Sequence, residues 1–356
     1  MEFVVHLPPG TPRSAAIRLS GSGSALGRWA ADAVRLERHA DDLAFTRIEF
    51  PPGWYGQYLV TLGDWRSVEN DGQGRERTPR ELVARPNTRV EIAVAGWGRN
   101  SVRYHRDFHS EILGNSRTIS VYLPPGYDLE TERFYSILYM HDGQNLFDAE
   151  TAFAGKPWTA DDGAERAARN RDARPVIVVG IANTDARLDE YGPGRGRAVE
   201  DRAHRYGRFV VEEVKPMIDR LYRTRRDAAH TGTAGSSMGG LISLHLAQWY
   251  PQVFGRVAAL SPSLWWDREF FLRSMKSSDA WLHVCRLWLD MGDAEGVGNT
   301  RRTRRLASLC KANGRIEHRD YEYREIEGGT HDEGSWRVRF PEVLKFLFPP
   351  DGSHAG

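Results

Sequence analysis

Cysteine is scarce in this sequence, since Cys285 and Cys310 are the only two among 356 residues. Neither belongs to a metal-binding spacing, and two thiols do not build a disulfide framework, so we expect both to be reduced and structural. An excess of one charge is missing too, because 49 basic and 48 acidic side chains leave a formal net charge of +1. A chain balanced in this way has no overall field that would draw it to nucleic acid or to an anionic membrane.

Long hydrophobic runs are also absent. The run PVIVVGIA at 175–182 is far shorter than the ~20 residues that a membrane-spanning helix needs, and it is typical of a buried strand. The N-terminal segment MEFVVHLPPG lacks the basic and apolar stretches of a secretory signal. We therefore expect a cytoplasmic protein without nucleic-acid or membrane partners, although a mature secreted form would have the same features.

The first hundred residues are predicted to form a small all-β sandwich. Segments with alternating or β-branched residues recur at 2–7, 15–20, 33–39, 43–50, 56–62 and 89–94, with turn-rich stretches between them. Strands with this spacing are typical of a small antiparallel sandwich. The segment GWGRNSVRYH (96–105) breaks the pattern, so we place the sandwich domain at 1–98 and a second domain at 105–350.

The second domain alternates strand-like and helical patterns. It opens with a predicted hairpin, 108–114 and 117–124, around Asn115, and further strands are predicted at 135–141, 174–183, 229–235, 256–261, 286–292 and 318–326. Helices are predicted at 159–170, 201–222, 238–250, 300–314 and 335–348. Such an alternation predicts a mostly parallel sheet with helices on both faces.

One glycine-rich segment stands between a predicted strand and a predicted helix. In Gly235-Ser236-Ser237-Met238-Gly239 the central serine matches G-x-S-x-G, and Ser236 occupies the variable position. The two glycines leave room for a strained turn that lifts the serine hydroxyl above the edge of the sheet. The backbone N–H of Met238, at the start of the helix, can then point at a developing oxyanion. The segment therefore predicts Ser237 as a nucleophile.

A nucleophilic serine on such a turn needs an acid and a histidine base, which follow it in the chain in that order. Two histidines of the second domain lie late enough: His318, within a strand pattern, and His331, in the glycine-flanked loop GGTHDEG after the last strand. The loop position favours His331, because a side chain there can reach over the sheet edge to Ser237.

Three carboxylates near the end of the predicted strand 286–292 compete for the role of the acid. Asp290 is expected within the strand, whereas Asp293 and Glu295 lie in the loop beyond it. Spacing alone does not separate the two loop residues.

A further candidate element is YMHDGQNLF (139–147), in which a strand ends in His-Asp-Gly. Folds with this kind of nucleophile turn take a second oxyanion donor from the loop after the third strand. The backbone amides of Gly143 and Gln144 are therefore the candidate donors. The alternative, a simple strand–helix turn without such a role, stays open.

Together these motifs resemble the putative-esterase family of α/β-hydrolases, which includes esterase D-like thioesterases, feruloyl and acetyl esterases and trilactone-siderophore esterases. The resemblance covers residues 106–348 and is carried by VYLPPGYD (121–128), LYMHDGQNLFD (138–148), VVGIANTDARLDEY (178–191), YRTRRDAAHTGTAGSSMGG (222–240), LSPSLWW (260–266), LDMGDAEG (289–296) and GGTHDEGSW (328–336). It implies an α/β-hydrolase domain that hydrolyses carboxylic esters through a Ser-His-acid triad and an acyl-enzyme, without a metal or an organic cofactor. The family's acid ends a G-T-x-D/E pattern, which favours Glu295. Asp293, standing where threonine is usual, is the runner-up.

The front domain resembles a starch-binding or glycogen-binding immunoglobulin-like module. The segment GDWRSVENDGQGRE (63–76) is similar to the one that carries a sugar-facing tryptophan in such modules, but Pro79-Arg80 departs from their usual Asn-Arg. We therefore interpret Trp29, Trp54 and Trp65 as packing aromatics rather than as a sugar platform.

The substrate is expected to be a small-molecule or glycan-linked ester. Trp265, Trp266 and Trp336 lie near the predicted catalytic residues and would suit aryl or bulky acyl groups, of hydroxycinnamoyl or catecholate type. Arg187 would contact an anionic substrate, or else form an ion pair with Asp189 or Glu190. Two other functions stay open, namely an acyltransferase with the same acyl-enzyme and a glycan-binding protein with an inactive hydrolase domain.

Overall fold

The computed structural model describes residues 1–72, 74, 76–98, 101–194, 201–275, 280–283 and 285–350. They fall into two compact units. The first contains Met1–Ser101, Pro124–Glu132 and Asp161–Asp172, and the second contains Val102–Leu123, Arg133–Ala160 and the chain from Ala173 onward. The predicted domain limits, 1–98 and 105–350, stay a prediction beside this division, and residues 99 and 100 of the predicted boundary segment lie outside the described residues.

The first unit is a small all-β sandwich, as the strand pattern predicts. Its strands are β1 (Glu2–His6), β2 (Arg18–Gly21), β3 (Val34–Arg35), β4 (Glu37–Ala40), β5 (Leu43–Arg47), β6 (Tyr55–Thr61), β7 (Glu69–Asn70), β8 (Arg80–Val83), β9 (Arg89–Ala93) and β10 (Gly96–Trp97). They form the sheets β4-β5-β1-β9 and β3-β2-β6-β8 and the pair β10-β7. Phe3 and Val5 from one sheet share a core with Leu19 and Val60 from the other. The prediction of purely antiparallel pairing is wrong at one place, because β1 and β9 run parallel.

The tryptophans of this unit pack inside it. Trp29 and Trp65 are 4% and 3% exposed, and their ring centroids lie 6.1 Å apart. The guanidinium of Arg169 lies 5.2 Å from the first ring and 4.8 Å from the second, an arrangement that stabilises the cation over the aromatic faces. Trp54 stacks on Phe50 at 4.7 Å. The packing interpretation of Trp29 and Trp65 is therefore confirmed, because a buried ring cannot support a sugar.

The second unit is built on one eight-stranded sheet. Its strands are β11 (Val102–Ser110), β12 (Asn115–Tyr122), β13 (Ser136–His141), β14 (Val176–Ile181), β15 (Thr231–Ser236), β16 (Arg256–Leu260), β17 (Arg286–Gly292) and β18 (Tyr321–Ile326), in the order β11-β12-β14-β13-β15-β16-β17-β18. The predicted hairpin is present, but its turn precedes Asn115, which is the first residue of β12. From β14 to β18 neighbouring strands are parallel.

Helices cover both faces of this sheet. Apart from α1 (Ala160–Arg169), whose residues from Asp161 onward belong to the first unit, the helices are α2 (Arg187–Tyr191), α3 (Arg202–Arg208), α4 (Lys215–Leu221), α5 (Met238–Trp249), α6 (Trp266–Ser274), α7 (Val297–Ala312) and α8 (Glu333–Leu347). A π-helical segment, Phe209–Val214, joins α3 to α4, so the predicted helix 201–222 is continuous. Strands β13, β14 and β15 are buried at every position, which requires packing on both faces. The predicted α/β-hydrolase class is therefore confirmed.

Both cysteines lie in the second unit and are unpaired. Cys285 and Cys310 are 3% and 0% exposed. Burial raises the pKa of each thiol to about 12, so both carry their protons at neutral pH. Among the described residues, the helices are too short or too polar to cross a bilayer.

Candidate active site

Ser237 stands on the sharp turn that the sequence predicts, between β15 and α5. Its φ of 56° and ψ of −120° are strained for a residue with a side chain. The turn is tight: a Cβ on Gly235 would lie 2.6 Å from the carbonyl carbon of Gly239, closer than real contacts allow. The backbone N–H of Ser237 donates to the Leu260 carbonyl at 3.0 Å, which ties the turn to β16. Glycine at 235 is thus a steric requirement of this conformation.

His331 lies in the loop between β18 and α8, and its imidazole reaches Ser237. The distance from its Nε2 to the serine Oγ is 2.9 Å, within hydrogen-bond range for a hydroxyl that donates to a neutral ring nitrogen. The side chain is 46% exposed, and its ring contacts the Trp336 ring edge-on, with centroids 5.0 Å apart. One face of the imidazole is therefore supported while the ring remains accessible from solvent.

Glu295 binds the other side of this imidazole. Its Oε2 lies 2.6 Å from Nδ1 of His331, while its Oε1 accepts from the Ser261 hydroxyl at 2.6 Å and from the Gly292 N–H at 2.9 Å. Burial of this side chain would raise its pKa, but the hydrogen bonds from His331, Ser261 and Gly292 outweigh burial and lower the pKa below its ordinary value. An ionised carboxylate holds the Nδ1 proton in place, which leaves Nε2 free to accept a proton from Ser237.

The two competing carboxylates have other partners. Asp290 is fully buried within β17 and forms an ion pair with Arg339 at 2.7 Å. Burial raises the pKa of Asp290, although Arg339 opposes the shift. Asp293 is exposed and accepts the Gly328 N–H at 2.8 Å. Neither lies against the imidazole in the way that Glu295 does.

Sequence reasoning missed the side chains that hold Glu295. The Ser261 hydroxyl, which donates to Glu295, accepts from Trp336 Nε1 at 3.0 Å and from Arg339 at 3.1 Å. The segment LSPS after the strand beside the nucleophile was the available signal, and it also carries Ser263, whose Oγ lies 3.3 Å from that of Ser237. The segment marks the serines, but it does not reveal the partners of Ser261, because Glu295, Trp336 and Arg339 lie 34 to 78 residues away in sequence.

The candidate oxyanion donors lie on the opposite side of Ser237. Met238 is the first residue of α5, and Gly143 and Gln144 open a short 3₁₀ turn after β13. The first amides of a helix have no carbonyl partner within it, so they are available to an anion. Gly143 is wedged against β14, because a Cβ there would lie 2.5 Å from the Ile181 nitrogen. The neighbouring parallel strands β13 and β15 bring both turns to the same edge of the sheet.

Arg187 has a partner that the sequence analysis did not consider. Its guanidinium binds Asp142 with two contacts of 2.7 Å, so the expected ion pair with Asp189 or Glu190 is wrong. Asn183 donates to the same carboxylate at 2.6 Å through its side chain, and its backbone N–H donates to Gln144 Oε1 at 3.1 Å. These contacts fix the loop that carries Gly143 and Gln144. The expected contact of Arg187 with an anionic substrate stays a prediction.

His141, just before this loop, is 2% exposed and has a structural environment. Its ring nitrogens lie 2.8 Å from the Tyr206 hydroxyl and 3.2 Å from the Thr233 hydroxyl. Burial lowers its pKa to about 3, so the ring is uncharged at neutral pH. His141 therefore packs the base of the loop and does not supply charge to the site.

The predicted substrate-pocket tryptophans differ in exposure. Trp265 is 48% exposed, whereas Trp266 and Trp336 are 5% and 4% exposed. The indole N–H of Trp266 donates to the Pro193 carbonyl at 3.1 Å, and that of Trp336 donates to Ser261. Trp266 and Trp336 thus present little surface to a substrate, and Trp265 is the better placed of the three. No group of His, Cys, Asp and Glu side chains within the described residues is arranged to hold a metal ion.

Comparison with known proteins gives a family. Residues 110–347, about two-thirds of the chain, match the family model described as "Putative esterase". The uncharacterized protein YbbA of Bacillus subtilis is 26% identical over 257 residues, 67% of this chain and 95% of that protein. The iron(III) salmochelin esterase of Escherichia coli is 25% identical over 238 residues, 64% of this chain but 53% of the esterase.

Solved structures share the fold. The enterobactin esterase of Shigella flexneri, determined in the presence of 2,3-dihydroxy-N-benzoyl-glycine, aligns with a TM-score of 0.57 and 16% identity. The alignment covers 97% of this chain and 92% of that one. Because the family model matches more than half of the sequence, the chain belongs to the putative-esterase family and is a carboxylic-ester hydrolase.

Proposed function

We propose that the chain hydrolyses carboxylic esters through a covalent acyl-enzyme on Ser237, with His331 as general base and acid and Glu295 as the orienting acid. One observation carries the proposal, the chain of contacts from Ser237 Oγ to His331 Nε2 at 2.9 Å and from His331 Nδ1 to Glu295 Oε2 at 2.6 Å. Three such groups in this order make a serine hydroxyl nucleophilic at neutral pH.

In the first half of the reaction Ser237 Oγ attacks the ester carbonyl carbon while His331 Nε2 takes the hydroxyl proton. The tetrahedral oxyanion accepts hydrogen bonds from the amides of Met238, Gly143 and Gln144, each worth ~3 kcal/mol in such sites. The intermediate then collapses, the carbon–oxygen bond to the alcohol breaks, and His331 protonates the leaving oxygen. The products are the free alcohol and an acyl ester on Ser237.

In the second half a water molecule replaces the alcohol. His331 takes a proton from the water, whose oxygen attacks the acyl carbon, and the same proton passes to Ser237 Oγ as the acyl bond breaks. The carboxylic acid leaves and the serine is restored. Glu295 stays ionised throughout and stabilises the imidazolium that forms in each half.

The substrates that we propose are esters with an aryl or otherwise bulky acyl group, of catecholate or hydroxycinnamoyl type. The exposed ring of Trp265 supports this, since it offers a flat apolar face to part of a bulky substrate and follows by two residues Ser263, whose hydroxyl lies 3.3 Å from that of Ser237. The similarity to the salmochelin esterase, and to the enterobactin esterase determined in the presence of a 2,3-dihydroxybenzoyl compound, supports it as well. The chain spans about half the length of the former.

A substrate panel tests the proposal. Acetyl, butyryl, feruloyl, catecholate trilactone and thioester substrates are compared in wild type, in Trp265→Ala and in Phe134→Ala, a control at a 58% exposed aromatic. We expect a higher kcat/KM for the aryl esters than for the acetyl ester, and we expect the value for the bulky trilactone to fall in Trp265→Ala and not in the control. A preference for acetyl esters that Trp265→Ala leaves unchanged would contradict the substrate class, and no hydrolysis of any ester would contradict the function itself.

A further inference from the structure

A cavity of about 270 Å³ opens beside the candidate oxyanion loop, and Ser237, His331 and Glu295 do not line it. It is called the Gln144 cavity here, because Gly143 and Gln144 form part of its wall. The rest of the wall is made by side chains within β11 and β12, by the residue that follows β14 and by the segment after the loop, chiefly Tyr104, Arg106, Thr118, Ser120, Phe147 and Ala182. All of them lie within the second unit.

The strand order places this cavity on a defined side of Ser237. The sheet runs β12-β14-β13-β15-β16-β17-β18, with Ser237 after β15. Glu295 follows β17 and His331 follows β18, so the proton-transfer groups come from one side of the nucleophile. The Gln144 cavity is built from β12, β14 and the loop after β13, on the other side.

This arrangement decides which part of an ester can enter the cavity. The leaving oxygen receives its proton from His331, so the alcohol must lie on the side of β17 and β18. The carbonyl oxygen lies against the amides of the turn after β13 and of α5. The remaining substituent of the carbonyl carbon, the acyl chain, is then directed toward β14 and β12. We propose that the Gln144 cavity is the acyl subsite and that it binds one hydroxylated aromatic ring.

The size of the cavity limits the occupant to one ring. A cavity of about 150 Å³ suffices for an unsubstituted benzene ring in a protein interior. A volume of about 270 Å³ therefore holds one substituted ring with its hydroxyl groups, but not the several rings of a large ester. The rest of such a substrate must lie outside the cavity, and the exposed Trp265, which follows β16 on the other side of Ser237, is available to that part.

The wall chemistry fits a neutral phenol or catechol. Phe147 is buried and Tyr104 is half-exposed, so both offer aromatic surface, and the Arg106 guanidinium lies 5.4 Å from the Tyr104 ring centroid. Two carboxylates, Asp148 and Glu150, complete the wall and can accept hydrogen bonds from phenolic hydroxyls. The same carboxylates repel an acyl group that carries its own carboxylate. The hydroxyls of Thr118 and Ser120 add donors and acceptors at the sheet edge.

The inference rests on the proposed function, so its test uses esters that share one leaving group. The p-nitrophenyl esters of acetate, cinnamate and ferulate differ in the acyl part alone. In Tyr104→Ala and in Arg106→Ala, both at exposed positions, we expect the ferulate-to-acetate ratio of kcat/KM to fall about tenfold. Ala182→Leu, which fills the cavity, should lower the ratio further. Comparison of cinnamate with ferulate separates the contribution of the ring from that of its hydroxyl and methoxy groups.

The matched control is Tyr55→Ala, a 58% exposed tyrosine of the first unit that lines no part of the cavity. Ratios within twofold of wild type in all three cavity variants, or an equal fall in the control, would overturn the inference. A second series uses acetyl esters that differ only in the alcohol. If the cavity variants change how kcat/KM depends on the alcohol, and not how it depends on the acyl group, then the cavity binds the leaving group and the proposed acyl subsite is wrong. Absence of hydrolysis in wild type would instead count against the proposed function.

Discussion

The two sides of Ser237 are built by different means. On the β17–β18 side, a half-exposed imidazole is held by hydrogen bonds to a carboxylate that is itself held by a hydroxyl and an amide. On the β13–β14 side, backbone amides are held by close packing, with Gly143 wedged against Ile181 and Asp142 bound by Arg187 and Asn183. In the proposed mechanism, the group that exchanges protons is thus accessible to solvent, whereas the groups that stay fixed toward a charge are packed.

Removal of Ser237 Oγ, which lies between the two sides, should have the largest effect on ester turnover. Ser237→Ala is expected to lower turnover of a p-nitrophenyl ester by ~10⁴ or more, and His331→Ala by a similar factor, because a triad acts as a unit. The matched control is Ser236→Ala, at the variable position of the same turn. Retention of a tenth of wild-type activity in folded Ser237→Ala would refute the role of the serine.

The β17–β18 side, called the hydrogen-bonded side here, can be disrupted by a substitution of its carboxylate. Glu295→Gln keeps the shape but loses the charge that fixes the Nδ1 proton, so we expect kcat to fall by about 10³. Asp293→Asn is the control on the same turn and should have little effect, since its carboxylate binds the Gly328 N–H in the exposed loop. The comparison requires thermal melting curves of both variants beside the kinetics. The reverse ranking would transfer the acid role to Asp293.

The β13–β14 side, called the packed side here, can be disrupted by the addition of one methyl group at Gly143. Gly143→Ala forces the loop away from β14, and displacement of an oxyanion donor is expected to lower kcat by about 10². Gly298→Ala is the matched control, because its Cβ would contact only the flexible end of Arg302. Steady-state kinetics with one ester measures both. If kcat in folded Gly143→Ala stays within twofold of wild type, the amides of this turn do not stabilise the transition state.

The smallest expected effect is on the pH dependence of the hydrogen-bonded side. Against the opposing effect of burial, the hydrogen bonds from His331, Ser261 and Gly292 lower the pKa of Glu295, so its carboxylate stays ionised to a lower pH than an ordinary glutamate. Glu295 should therefore not add a second proton to the acid limb of activity, and a plot of log kcat/KM against pH should rise there with a slope of no more than one. A slope of two would show that a second group, with Glu295 the first candidate, titrates together with the base.

Ser237 and His331 could be predicted to meet because each carries a local signature, a strand–turn–helix with paired glycines and a glycine-flanked loop after the last strand. Their catalytic roles stay predictions until the variants are measured. Glu295 could not be separated from Asp293 by spacing, since the choice depends on the 3₁₀ turn Asp293–Glu295 and on Ser261, which is 34 residues away.

The rest of the fold shows the same limit. The parallel sheet was predictable from apolar runs that alternate with helices, because burial on both faces leaves a continuous hydrophobic pattern. The membership of residues 161–172 in the first unit could not be predicted, because Arg169 contacts Trp29 and Trp65, which lie 140 and 104 residues earlier in the sequence. Short strands such as β7 and β8 carry charged residues and have little alternation to detect.

The two buried thiols can report how often one part of this molecule opens. Cys285 directly precedes β17 and Cys310 lies in α7, so they flank the segment that carries Glu295. A thiol with a pKa of about 12 and no solvent contact reacts with an alkylating reagent only while its surroundings are open. The alkylation rate of the native protein therefore measures how often the segment that carries Glu295 opens. Comparison of this rate with the rate at which activity is lost shows whether the hydrogen-bonded side of the site opens before the sheet unfolds.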